Sequence, residues 1–187
     1  MASITAADID GGSSENCSAL DLSIDIDSFS CAEVGENNVT LTVTDADGNE
    51  SICVAEVTVL DTLAPTFTCP FDSLGSMINV AGCDAVMPDL VSEVTDAMDN
   101  CGVESITQNP LAGVSLTDSV GNTVNAEVIV RDASGNETVC TVLITVIDEE
   151  MPYFQNCYDT LVYGNDVNEC GAFVNWSAPV AFDNCDE

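Results

Sequence analysis

Residues 130–148 read VRDASGNETVCTVLITVID, and residues 43–61 read VTDADGNESICVAEVTVLD. An offset of 87 places superposes Asp45 on Asp132, Gly48 on Gly135, Asn49 on Asn136, Cys53 on Cys140 and Asp61 on Asp148. Recurrence at one long period marks an array of like modules. In both copies Asp-x-x-Gly-Asn reads as a tight turn, because Asp accepts a backbone N–H two residues on and Gly supplies the positive φ that closes a hairpin. The flanks alternate with a period of two. Val124, Ala126, Val128 and Val130 take one face and Asn125, Glu127 and Arg131 the other, with Ile129 the exception; Cys140, Val142, Ile144 and Val146 continue the pattern after the turn. A β-hairpin with an apolar inner face is predicted, with Cys53 and Cys140 turned into the core.

Of 187 residues, 46% are hydrophobic, enough for a buried core, while aromatics at 5% suit a thin sandwich filled by Val, Ile and Leu. Arg131 is the sole basic side chain, there is no Lys or His, and 33 acidic residues bring the net charge to −32. Such a chain cannot neutralise phosphates, which excludes nucleic-acid partners. Two carboxylates about 4 Å apart repel by roughly 4 kcal/mol at an effective dielectric near 20, so a saline or calcium-bearing medium is expected. Without Lys or His, and with oxidised cysteines, no Ser/His/Asp or Cys/His nucleophile can be assembled, and a carboxylate pair has no specificity among so many acids. The chain is therefore read as no enzyme.

Ten cysteines with no paired short spacing for zinc read as disulfides of an extracellular protein. The longest apolar stretch, VCTVLITVI, is too short for membrane insertion. MASITAADIDGG has neither basic nor apolar signal regions, so a piece of a longer secreted protein is expected.

Three modules follow from the offset: residues 1–61 as a module lacking its first strands, 62–148 as the complete one, and 149–187 as the start of a third, truncated copy. Pro152, Phe154 and Cys170 lie 87 places after Pro65, Phe67 and Cys83, and Cys157 lies 88 after Cys69. The third copy then runs three residues short, so that AFDNCDE matches AMDNCG. By position, Cys69 is expected to pair with Cys83, Cys157 with Cys170, Cys101 with Cys140 and Cys17 with Cys53. A pairing of Cys17 with Cys31 stays open. Cys31 and Cys185 are left over, with partners expected beyond the ends of the fragment.

The order DTLAPTFTCP, Cys83, DNCG, Asp-x-x-Gly-Asn, Cys140 and a closing VTVxD-type strand resembles the hyalin repeat (HYR) domain. CGAFVNWSAPVAFDNC matches that pattern best, with Trp176 and Pro179. The first copy looks like related repeats of giant secreted adhesins of gliding, Bacteroidota-type bacteria. The second departs, with no Trp at the Trp176 position and three extra residues before DNC that are expected to bend its early strands. The resemblance implies an all-β architecture of tandem, disulfide-stapled immunoglobulin-like β-sandwich modules, arrayed in cell-surface or matrix proteins and associated with adhesion. A seven-strand sandwich of roughly 90 to 100 residues is also what the strand spacing gives by itself.

Acids recur at the module junctions and in the DNC loops: Asp61 before Pro65; Asp148, Glu149 and Glu150 before Pro152; Asp96 and Asp99; Asp183 and Asp186. Hard cations take six to eight oxygens, so Ca2+ is the expected cofactor at these residues, set against a plain solvated acidic surface. Asp45-Ala46-Asp47-Gly48 lacks the order of a helix-loop-helix calcium loop, with Gly fourth rather than sixth and no closing Glu, and reads as a turn. Asn38, Asn136 and Asn175 head glycosylation sequons that matter only in a glycosylating host. The reading is a non-catalytic segment of a secreted cell-surface adhesin, its partners the neighbouring repeats and a surface glycan or protein ligand. The alternative is a passive extracellular spacer of a secreted enzyme or matrix protein.

Overall fold

The computed structural model describes residues 1–16, 19–71, 77–155, 157, 160–183 and 185. It is an all-β, disulfide-stabilised sandwich fold. In chain order the strands are β1 (Ala2–Ser3), β2 (Asp21–Ile24), β3 (Ser28–Phe29), β4 (Gly35–Thr44), β5 (Glu50–Val59), β6 (Thr66–Thr68), β7 (Met77–Ala81), β8 (Thr95–Met98), β9 (Val103–Asn109), β10 (Thr123–Asp132), β11 (Glu137–Ile147), β12 (Tyr153–Gln155) and β13 (Val180–Phe182). A short α-helix, Ala6–Ile9, starts with a capping box between Thr5 and Asp8. The strands assemble as sheets β7-β11-β10-β9, β2-β4-β5, β6-β8, β12-β13 and β1-β3.

Both copies of the quoted stretch fold as the predicted hairpin. In β4–β5 the Asp45 N–H donates to the Asn49 carbonyl at 3.0 Å, and in β10–β11 the Asp132 N–H donates to the Asn136 carbonyl at 3.1 Å. The aspartates close the turns from inside: Asp45 Oδ1 accepts from the N–H groups of Asp47 and Asn49, and Asp132 Oδ1 from those of Ser134 and Asn136. Gly48 and Gly135 hold φ of 85° and 88°, a region that side chains with a Cβ avoid. Arg131 and Glu137 form an ion pair across the second hairpin.

The chain divides into two compact units. The first comprises Met1–Thr68, Thr95–Ile106 and Ile129–Val139. Its β4 pairs along its whole length with β5, from Gly35↔Val59 to Thr44↔Glu50. Period-two alternation sends Val39 and Leu41 inward, where they are buried with Phe29 and Val130. The second unit comprises Cys69–Val94, Thr107–Val128 and Cys140–Glu187. Ala126, Val128, Val142, Ile144 and Val146 form its core with Met87, Leu90 and Leu116. Buried Gln108 is fully satisfied there: Oε1 accepts from Leu90 N–H at 2.8 Å, and Nε2 donates to the carbonyls of Pro88 and Pro110, each at 3.0 Å. In this unit β7 lies parallel to β11, Met77↔Leu143 through Ala81↔Ile147.

The repeat is visible in pairing as well as in sequence. β6 meets β8 at Thr66↔Met98, and the residues 87 and 84 places on meet as Tyr153↔Phe182 in β12–β13. Of the three extra residues of the second copy, one is taken up by a bulge opposite Thr66–Thr68, where Asp96 takes a φ of 56°.

The cysteine pairing corrects the positional expectation. Bonds join Cys31 to Cys101, Cys69 to Cys140 and Cys83 to Cys185, and the thiols of Cys53, Cys157 and Cys170 are free. Cys69 cannot reach Cys83, because β7 carries the chain along β11 between them. Cys69 is bonded to Cys140, whereas the Gly82 N–H, next to Cys83, bonds the Ile147 carbonyl seven residues further along β11, roughly 23 Å away at about 3.3 Å per residue. Cys101 is thus left for Cys31 instead of Cys140, and Cys157 and Cys170 stay apart from each other as thiols. Cys31 and Cys185, expected to lack partners, are both bonded. Cys17 lies outside the described residues, and its expected partner Cys53 is free and exposed. Cys53 does share a face with its buried neighbour Leu41, but it sits on the edge strand β5 and is exposed.

Candidate metal centre

Three parts of the repeat converge in the first unit. The residue after β5 and Leu60 is Asp61; the turn after β8 carries Asp99; the hairpin turn after β10 begins with Asp132. One carboxylate oxygen from each lies within 4.8 Å of the others. Asp132 is fully buried, and Asp61 and Asp99 are partly so.

Each carboxylate is half used by its own loop. Asp99 Oδ1 accepts from the Cys101 and Gly102 N–H groups at 2.8 and 3.1 Å. Asp61 Oδ1 accepts from Leu63 N–H at 3.3 Å and from Asn100 Nδ2 at 3.1 Å. Asn136 Nδ2 donates to Asp132 Oδ2 at 2.7 Å and to the Asp61 carbonyl at 3.1 Å, tying the turn to the leading loop. Thr138 Oγ1 adds a second tie, to the Pro65 carbonyl. Burial pushes the Asp132 carboxyl up, but hydrogen bonds from the Asn136 side chain and from the N–H groups of Asn136, Ser134 and Gly135 outweigh it and hold the group below the ordinary carboxylate range.

The other halves are not used. Asp61 Oδ2 and Asp99 Oδ2 are buried with no hydrogen-bond partner among the described residues. Buried carboxylate oxygens without donors are costly, and three acids this close repel. A divalent cation answers both problems, since it takes hard oxygens and cancels the charge.

The third copy repeats the arrangement. Asp148 and Asp183, the counterparts of Asp61 and Asp99, again lie within 4.8 Å, together with Cys185. Asp148 Oδ1 accepts from Glu150 N–H at 3.0 Å and Asp183 Oδ1 from Cys185 N–H at 3.1 Å, as Asp61 and Asp99 do in the second copy. The Cys185 sulfur is bonded to Cys83 and so is no thiolate ligand.

Of the acids singled out in sequence, the fold brings together Asp61 with Asp99 and Asp148 with Asp183. Asp96 is drawn aside to the bulge, where it accepts from Thr68 Oγ1, and Glu149 and Glu150 stay exposed outside both clusters. Asp186 lies outside the described residues. Asp132 was legible only as a turn residue; the signal that could have found it is its full burial, which a hairpin turn does not require.

No family model matches the chain. Over 156 residues, 80% of its length, it is 31% identical to hyalin of Strongylocentrotus purpuratus. The match supports a hyalin-repeat-like module. The chain spans 12% of the length of that relative. Among the described residues no helix is long and apolar enough to cross a membrane.

Proposed function

We propose that the chain is a non-catalytic, load-bearing segment of a secreted cell-surface adhesin, built from hyalin-like repeats covering residues 1–61, 62–148 and 149–187. The observation that carries this reading is the placement of the DNC cysteines. Cys101 of the second repeat is bonded to Cys31 of the first, and Cys185 of the third to Cys83 of the second. A bond from each repeat to the one before it resists extension of the chain more than it aids any chemistry. Similarity to hyalin supports an extracellular, adhesion-related setting.

Calcium has a place in this reading. Bound by Asp61, Asp99 and Asp132, it would lock the junction at the end of one repeat to the DNC loop and the hairpin turn of the next, so that stiffness would follow the calcium level of the medium. Pulling single chains from both ends, with and without reductant, tests the load-bearing role. A second reading, the passive spacer, is favoured by the net charge of −32, which keeps neighbouring modules apart. Immobilised chain that captures no cells, matrix glycans or matrix proteins at physiological salt would favour the spacer.

A further inference from the structure

Among the described residues Cys31 is the one disulfide-bonded cysteine that is exposed; Cys69, Cys83, Cys101, Cys140 and Cys185 are half-buried. Cys31 begins the turn of 3₁₀ helix, Cys31–Glu33, that leads into β4. With Cys101 it lines a groove of about 380 Å³ whose walls include Phe29, Val34, Leu60 and Asp61. This exposure is a property of the repeat. The offset of 87 carries Phe29 onto Leu116 and Cys31 onto Asp118, and in the complete second repeat Leu116 is likewise buried and Asp118 likewise exposed, in the turn Thr117–Ser119 before β10. At the other end of the bond, Asn100 Nδ2 donates to Cys101 Sγ at 3.1 Å, a contact that strengthens when the sulfur carries negative charge.

We propose that Cys31–Cys101 is a redox-sensitive clasp between the first two repeats, opened by a small neutral or cationic thiol ahead of the other two disulfides. Exchange rates follow access to the attacked sulfur and the stability of the leaving thiolate, and this bond is favoured on both counts. The field around it selects the thiol. Glu33 ends the turn that carries Cys31, Asp61 lines the groove, Asp99 holds the Cys101 N–H, and the sole basic side chain, Arg131, is engaged by Glu137. A thiol bearing carboxylates or a sulfonate is repelled there.

The step is two successive thiol–disulfide exchanges. A reductant thiolate attacks the Cys31 sulfur, a mixed disulfide forms, the bond to Cys101 breaks, and the Cys101 sulfur leaves with the electron pair and takes up a proton. A second reductant thiolate attacks the mixed disulfide at the reductant's sulfur and releases Cys31 as a thiol. Two reductant thiols are thereby oxidised to one disulfide and one cystine is reduced to two cysteines. With Cys83–Cys185 still closed, the path from Cys31 to Cys185 runs through the 52 residues between Cys31 and Cys83. That is 34 residues more than the 18 between Cys83 and Cys101, so the extended chain lengthens by roughly 120 Å at about 3.6 Å per residue. The order of opening rests neither on the adhesin reading nor on the cation site.

The test uses the full chain with its free thiols blocked by N-ethylmaleimide. Limited reduction with 2-mercaptoethanol is followed by iodoacetamide labelling and peptide mass spectrometry. Cys31 and Cys101 should be labelled at least about tenfold sooner than Cys69, Cys140, Cys83 or Cys185, and acid quenching should trap the first mixed disulfide on Cys31. At equal thiolate concentration and low salt, cysteamine should open the bond at least about tenfold faster than 2-mercaptoethanesulfonate. That advantage should collapse in salt of about 1 M, where the Debye length is about 3 Å. Opening of all three bonds at one rate, earlier opening of Cys69–Cys140 or Cys83–Cys185, a first adduct on Cys101, or an anionic thiol as fast as the cationic one at low salt would each overturn the proposal.

Discussion

Asp61 at the junction of the first two repeats and Asp99 in the mid-repeat loop of the second face each other, each with one oxygen satisfied by its own loop and one buried oxygen without a partner among the described residues. At 4.8 Å and an effective dielectric near 20, two such charges repel by roughly 3 kcal/mol. Asp99→Asn removes one charge while keeping an oxygen for the Cys101 and Gly102 N–H groups. In chelator the variant should melt higher than the parent. In calcium it should lose the parent's gain, which is about 2.7 kcal/mol at 100 times the dissociation constant. Calorimetric melts with calcium, magnesium and chelator at matched ionic strength decide this, and an equal response to magnesium would remove calcium specificity.

Asp132 sets a pH dependence whose sign follows from its hydrogen bonds. Its carboxyl is held below the ordinary value of 3.8 in the folded chain, so its stabilising contribution is fully present above that value and is lost as pH falls through the folded one. Asp132→Asn has no such proton to take up. The difference in melting temperature between parent and variant, measured in chelator, should be greatest above about pH 5 and shrink below about pH 4. A difference that stays constant down to pH 2.5 would refute the assignment.

The hairpins, the inward Val and Leu residues and the repeat offset were all legible in sequence, because period-two alternation and Asp-x-x-Gly-Asn turns are local signals. Connectivity was not. Nothing local to Cys69 or Cys83 states that β7 will separate them by the length of β11, so the nearest pairing looked best. The acid site was half legible for the same reason. Asp61 and Asp99 stood out as loop acids, but Asp132 had an adequate local duty in its turn, and only its burial beside the other two shows a second.

Gly135 and Gly48 occupy equivalent turns with open space around the position of a Cβ, so an added methyl meets only the conformational cost. Gly135→Ala and Gly48→Ala should each destabilise the chain by about 1 kcal/mol, and by similar amounts. Chemical denaturation curves will show it; a neutral result at either would mean that the turn can relax.

Gln108 is buried with its amide fully engaged by the Leu90 N–H and two proline carbonyls. Gln108→Leu leaves all three unpartnered inside the second unit, at an expected cost of about 2–4 kcal/mol. A shift of less than 1 kcal/mol in denaturant unfolding would show that water replaces the side chain.

Pulling single chains from their ends tests the load-bearing claim most directly. Cys31–Cys101 and Cys83–Cys185 overlap, so an oxidised chain crosses the 154 residues from Cys31 to Cys185 along a path containing only the 18 residues between Cys83 and Cys101. Adding reductant should therefore lengthen the fully extended chain by roughly 490 Å, at about 3.6 Å for each of the 136 residues released. A gain near 100 Å, the size expected if only Cys69–Cys83 and Cys157–Cys170 hairpins had been closed, would contradict the cross-repeat bonds and the mechanical role built on them.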